Sequence, residues 1–290
     1  MRRALLGYVA QAGLRTERNQ QLQSSETAML DLVDLLLLRR GIPADDRELT
    51  FRRIDGNASS KVLYFLPWHT PFGIARQIGI MPLDFLACYE MPAAIVSSEP
   101  DLCLRAMVAL VTDAQRLLAE RGGIAGKDVL VVGLSVGSYP ATYLANRIGA
   151  RLCSVASADR ADLAIWESPA TRIVKHRALQ KGYELSHYSK ALYGTDPAQN
   201  LAGLAPNSLF VIGRNDPFIP LARKNGLLRA IDTHAPRAHV AKLHAGHFKT
   251  LLTSSRFQRA MLDIRPTPRP SRWPYSLSGS WDAPVATDVL

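Results

Sequence analysis

Residues 129–137, Val-Leu-Val-Val-Gly-Leu-Ser-Val-Gly, constrain the fold more than any other stretch of this 290-residue chain. The β-branched and aliphatic run 129–132 reads as a fully buried strand. Gly133-Leu134-Ser135-Val136-Gly137 then fits G-x-S-x-G, and small and apolar residues follow at helical spacing over 139–148. A strand, a sharp turn and a helix in that order make the pentapeptide a nucleophile elbow. Ser135 is expected at the strained tip, with its hydroxyl above the sheet. Gly133 and Gly137 are small because neighbouring backbone crowds both sides of such a turn. The Val136 amide, at the start of the helix, is expected to point at a developing oxyanion. Chance alone yields G-x-S-x-G in a chain of this length about one time in ten. A serine that merely caps a helix is therefore the plain alternative, and the rest of the chain has to decide.

The remaining pattern alternates strands with helices. Strands are expected over 48–54, 61–66, 92–97, 152–158, 209–213 and 239–243, and helices over 101–121, 221–232 and 249–262. Residues 1–40 read as helical, with a broad apolar stripe through Met29, Leu30, Val33, Leu36 and Leu37. Residues 159–206 carry no strand signal and hold Trp166, Tyr183, Tyr188 and Tyr193, the pattern of a small helical lid. From Pro266 the tail is rich in Pro, Ser and Trp and reads as extended. The expected units are an N-terminal helical extension (1–47), a core (48–158 and 207–264), the lid (159–206) and the tail (265–290). Such alternation predicts an α/β fold, a mostly parallel, doubly wound sheet covered on both faces. Right-handed crossovers gather the strand C-termini at one edge, and Ser135, Asp216 and His247 all follow a strand.

Composition narrows the function classes. The chain is 47% hydrophobic and 21% charged, the range of ordinary globular proteins. Its net charge of +10 is scattered, with no dense basic run or basic face interleaved with aromatics, so no nucleic-acid partner is expected. Leu35 to Leu38 is apolar, but Arg39-Arg40 ends the run far short of a membrane span. Cys88, Cys103 and Cys153 each lie in an apolar run and read as free buried thiols in a reducing compartment, giving a cytoplasmic expectation. No cysteine or histidine spacing suggests a metal. Gly122-Gly-Ile-Ala-Gly-Lys127 is one residue short of a Walker loop and lacks its Ser or Thr, so no nucleotide cofactor is expected.

A serine hydroxyl is a poor nucleophile at neutral pH and needs a base, which in turn needs an orienting carboxylate. The order here is Ser135, Asp216, His247. At these residues the chain resembles the α/β-hydrolase family. Gly213 to Pro220, Gly-x-x-Asp-x-x-x-Pro, resembles the family's acid loop, and Gly246-His247-Phe248 its histidine loop. The resemblance spans about residues 49–264. It implies a triad of Ser135, Asp216 and His247. Asp216 competes with a turn role before Pro217 and with Asp159 as the acid. His247 competes with His244 and is favoured because Gly246 lets the backbone turn. The resemblance also implies a second oxyanion donor in the loop after strand 61–66. The family's usual His-Gly is replaced there by Pro67-Trp68-His69-Thr70. Pro67 has no amide hydrogen, which leaves the amides of Trp68, slightly favoured, or His69.

The expected activity is hydrolysis of an ester, thioester or lactone, a small-molecule acyl substrate, through an acyl-enzyme on Ser135. The aromatic residues of 159–206 suggest an apolar or aromatic acyl group. Two other readings stand beside it: an acyltransferase using the same triad, and a non-catalytic binding protein on the same fold. A homo-oligomer formed through the N-terminal helix or the C-terminal tail is left open.

Overall fold

The computed structural model describes Asp34 and residues 46–263. The expected N-terminal helix, apart from Asp34, and the extended tail lie outside the described residues.

Seven strands form one sheet: β1 (Arg52–Asp55), β2 (Val62–Phe65), β3 (Ala87–Glu90), β4 (Leu130–Leu134), β5 (Arg151–Val155), β6 (Leu209–Gly213) and β7 (His239–Leu243). Their order is β1-β3-β2-β4-β5-β6-β7. Only β1 runs antiparallel, pairing Arg52 with Glu90 and Ile54 with Cys88 at one edge. The other neighbours are parallel.

Burial on both faces explains why the central strands are nearly continuous apolar runs. Along β2, Leu63 and Phe65 join one core, while Val62 and Tyr64 join the other, as the two-residue strand period requires. The first core is covered by α2 (Pro100–Glu120), α3 (Ser138–Ile148) and α7 (Leu221–His234), through residues such as Leu110, Leu144 and Leu227. The second is covered by α1 (Phe72–Gln77) and α8 (His247–Asp263), through Ala75, Leu251 and Phe257. Each fully buried Val or Leu in such a core contributes about 1.5–3 kcal/mol. Among the described residues no helix is long and apolar enough to cross a membrane.

The first strand is shorter than expected (Arg52–Asp55), the fifth ends at Val155 and the short helix α1 was not expected; two further differences bear on the site. The run 92–97 is not a strand: Ala93–Val96 is a turn of 3₁₀ helix, and the strand is Ala87–Glu90. Ile95 and Val96 carry β-branched signal, whereas Ala-Cys-Tyr-Glu carries none, so local preference pointed to the wrong segment. Pairing of Ala87, Cys88 and Tyr89 with Leu63, Tyr64 and Phe65 decided the outcome. The last helix starts at His247 rather than near 249, so the histidine sits in its first turn.

The sheet order sets the position of the site. From β2 the chain moves to β3 on one side, then returns across β2 to β4 on the other. The C-terminal ends of β2 and β4 therefore flank a topological switch point, where open α/β sheets form their crevice.

Candidate active site

Ser135 follows β4 directly and has φ +53°, in the left-handed region. A non-glycine residue held there costs roughly 1–3 kcal/mol and persists only where its surroundings fix it. Here they do. A Cβ on Gly133 would lie 2.5 Å from the Ser138 Cα and 2.6 Å from the Ala141 Cβ. A Cβ on Gly137 would lie 2.3 Å from the Phe65 carbonyl oxygen and 2.5 Å from that of Leu66. Both glycines are thus required by close approach, and Gly137 presses the elbow onto the end of β2. The Ser138 hydroxyl donates to the Ser135 carbonyl and closes the turn.

The structure brings Ser135, Asp216 and His247 together. His247 Nε2 lies 2.9 Å from Ser135 Oγ, and His247 Nδ1 lies 2.7 Å from Asp216 Oδ2. The other oxygen of Asp216 accepts the amides of Phe218 at 2.8 Å and Ile219 at 3.3 Å. The carboxylate is buried and held at both ends, and the imidazole has one orientation that satisfies it. Burial alone would depress the His247 pKa. The charge of Asp216, its hydrogen bond and the charge of Asp34 outweigh burial and hold the pKa above the usual value.

The alternatives lie elsewhere. His244 is exposed and bonds Arg214 at 3.0 Å. Asp159 pairs with Arg223 at 3.2 Å and faces α7, where a Cβ on Gly226 would strike its carboxylate.

Two site residues had no signal in the sequence reading. Lys224, on α7, is buried and donates to the carbonyls of Arg214 at 2.8 Å and Asp216 at 3.1 Å. It ties down the backbone that carries Asp216, and burial lowers its own pKa. A lysine on a helix ordinarily reads as solvent-facing. Asp34 accepts the His247 amide at 2.9 Å across 213 residues, a separation no local pattern spans.

The loop after β2 reaches the same crevice. Pro67, Trp68 and Thr70 line one cavity with Ser135, Val136 and His247. Thr70 donates its amide to the Pro67 carbonyl at 3.1 Å, making a tight turn, and His69 has φ +54° within it. His69 is exposed, with its ring tilted against that of Trp68.

The cavity measures about 120 Å³ and is mainly apolar. Val96, Cys103 and Met107 enter from the α2 side, Ile165 and Leu192 from residues 159–206, and Phe218 from the acid loop. Residues 159–206 hold α4 (Ala161–Glu167), α5 (Arg172–Gln180) and α6 (Leu185–Ala191). Their aromatic residues do not form the wall. Tyr188 is buried and donates its hydroxyl to the Ser97 carbonyl at 2.6 Å, Trp166 packs on Tyr188, and Tyr193 is exposed. Residues 159–206 contribute mainly small and aliphatic side chains, and the aromatic part of the wall comes from Trp68, Tyr139, Phe218 and Phe248. Among the described residues no group of three or more His, Cys, Asp or Glu side chains is placed to hold a metal ion.

Sheet order, elbow and the placement of the three side chains define the α/β-hydrolase fold, and comparison with solved structures agrees. The chain is similar to the structure of TT1662 from Thermus thermophilus, with 19% identity and a TM-score of 0.50, covering 75% of this chain and 94% of that one. It is similar to the acylaminoacyl peptidase of Pyrococcus horikoshii, with 9% identity and a TM-score of 0.50, covering 73% of this chain and 38% of the peptidase. No protein-family model and no curated protein matches the sequence.

Proposed function

We propose that the protein is a serine hydrolase that cleaves an ester, thioester or lactone through an acyl-enzyme on Ser135. The observation that carries this reading is the unbroken hydrogen-bonded line Ser135–His247–Asp216 opening into an apolar cavity. Ser135 Oγ attacks the acyl carbonyl while His247 Nε2 takes its proton. Asp216 fixes the tautomer and stabilises the imidazolium. The tetrahedral oxyanion faces the amides of Val136 and Trp68, each contributing about 3–4 kcal/mol. Trp68 is favoured over His69 because Trp68 lines the cavity. Collapse expels the alcohol or thiol with the proton from His247. Water then attacks the acyl carbon and gives its proton to His247, which passes it to Ser135 Oγ as the acyl–oxygen bond breaks and the acid leaves.

The cavity also supports a choice of substrate. An engineered apolar cavity of about 150 Å³ holds a benzene molecule, so one of about 120 Å³ suits an acyl chain of roughly four to six carbons. Apart from His247, the ionisable side chains on its wall are the Cys103 thiol and the Tyr139 phenol, whose pKa values burial raises, so the acyl group is uncharged. The test is a panel of acyl esters and thioesters from acetyl to dodecanoyl, with charged analogues, run with and without added alcohols and amines. The expected result is hydrolysis fastest near butyryl to hexanoyl and absent in Ser135→Ala. Turnover retained in Ser135→Ala would overturn the reading, and product partitioning to the added alcohol would replace it with acyl transfer.

A further inference from the structure

The first turn of α8 carries His247, and its amide hydrogens need acceptors from outside the helix. Local sequence supplies no side-chain acceptor, because the two preceding residues are Ala245 and Gly246. The acceptor comes from Asp34. Its side chain is nearly fully buried, Oδ2 accepts the His247 amide at 2.9 Å, and the Phe248 amide also faces the carboxylate. Its Oδ1 is buried with no hydrogen-bond partner. No capping bond of the ordinary kind explains such a group. A serine or asparagine before the helix would satisfy the amide without burying a charge. An acidic group left half-satisfied is costly, and this one lies where a positive charge develops during the reaction.

We propose that Asp34 is a positioning residue of the active site, a second carboxylate that fixes the backbone of His247 and stabilises its imidazolium. The inference rests on the assignment of His247 as the base. Asp216 orients the ring through Nδ1, whereas Asp34 anchors the main chain on which the ring is mounted. Asp34 thereby adds to a site whose three aligned side chains, Ser135, Asp216 and His247, all follow strands of the sheet.

Among the described residues, the charged and titratable groups facing this pair are few. His247 meets Asp216, Asp34 and the Ser135 hydroxyl. Among the described residues, Asp34 meets His247 and Asp216, and the imidazolium is the cation acting on it. Burial raises the Asp34 pKa, and the positive His247 opposes that rise. The two groups therefore titrate as a coupled pair, each favouring the charged form of the other.

The test compares wild type with Asp34→Asn and Asp34→Ala. Asparagine keeps an oxygen to accept the His247 amide and removes the charge, while alanine removes both. Two readouts are taken against pH: the rate at which a fluorophosphonate labels Ser135, and the titration of the His247 imidazole by nitrogen-15 NMR. In Asp34→Asn the His247 midpoint and the acid limb of labelling move down by about half to one pH unit, with a smaller loss of plateau rate than in Asp34→Ala. Curves for Asp34→Asn that superimpose on wild type overturn the proposal while leaving the triad standing. If the variants do not fold, the unaltered protein carries the test. The carboxyl carbon resonance of Asp34 must move in step with protonation of His247, and one that ignores it overturns the proposal. A wild-type protein that takes no label overturns the assigned chemistry on which the inference rests. That failure is distinguishable, because the coupling of Asp34 to His247 is read by NMR without any reagent.

Discussion

His247 Nε2 stands 2.9 Å from Ser135 Oγ although 112 residues separate them. That distance is a hydrogen bond, with the ring held from behind by Asp216. Three distant segments meet because each follows a parallel strand and ends at the same sheet edge. Replacing Ser135 by alanine is expected to leave the fold intact and to remove nearly all turnover, a loss of about 10⁶-fold where such a serine is the nucleophile. Asp216→Asn is expected to cost about 10⁴-fold through the wrong histidine tautomer. Steady-state rates, with circular dichroism as the control for folding, check both.

The reaction is expected to switch off in acid. His247 must be neutral to take the serine proton, and its surroundings hold its pKa above the ordinary 6.5. Activity therefore rises with pH through a midpoint above 6.5 and is lost as pH falls through it. A kcat/KM profile from pH 5 to 9 checks this. A midpoint at or below 6.5 would show that Asp216 and Asp34 do not outweigh burial.

Gly137→Ala is expected to abolish activity without touching a catalytic group. The added Cβ would lie within 2.5 Å of two backbone carbonyl oxygens at the end of β2, and neither belongs to a flexible side chain. Either the elbow lifts off β2, separating Ser135 from the Trp68 loop, or β2 shifts. Loss of labelling together with a fall in melting temperature is the expected readout. A Gly73→Ala control, where a Cβ would meet nothing within 4 Å, is expected to behave as wild type.

Asp196 gives a stability prediction of definite sign. It is buried, its Oδ1 accepts the Ala161 amide at 2.9 Å, and its pKa is pushed up to about 6 by burial, with the charges of Asp162 and Asp159 adding to the shift. Its pKa when unfolded is near 3.8, so between pH 4 and 6 the folded protein binds the extra proton. Stability from this group falls as pH rises across that window, by at most about 3 kcal/mol. Asp196→Asn keeps an acceptor for Ala161 and removes the charge. The variant is expected to gain on wild type in urea melts at pH 7 and to match it near pH 4.

The elbow and the acid loop were legible in the sequence because each pairs a buried aliphatic strand with a glycine, whereas the histidine loop follows a half-buried strand and was marked by its glycine. At the elbow and the acid loop the glycine is crowded: a Cβ on Gly133 would meet Ser138 and Ala141, and one on Gly213 would meet Thr250 and Ala245. The third strand was not legible. Its residues are aromatic, small or charged, and the β-branched pair Ile95 and Val96 lay five residues further on, in a 3₁₀ turn. What residues 159–206 give to the cavity wall was not legible for a related reason: aromatic content of a segment says nothing of which way its rings face, and Tyr188 faces Ser97. Lys224 and Asp34 were illegible altogether. Their partners are main-chain groups of distant segments, and such bonds leave no motif.

The most direct measurement is mass spectrometry of the protein after reaction with a fluorophosphonate. The account predicts one adduct per chain, on Ser135, formed faster as pH rises past the His247 midpoint and absent in His247→Ala. An unmodified Ser135 in the folded wild-type protein, or an adduct on another residue that survives Ser135→Ala, would contradict it.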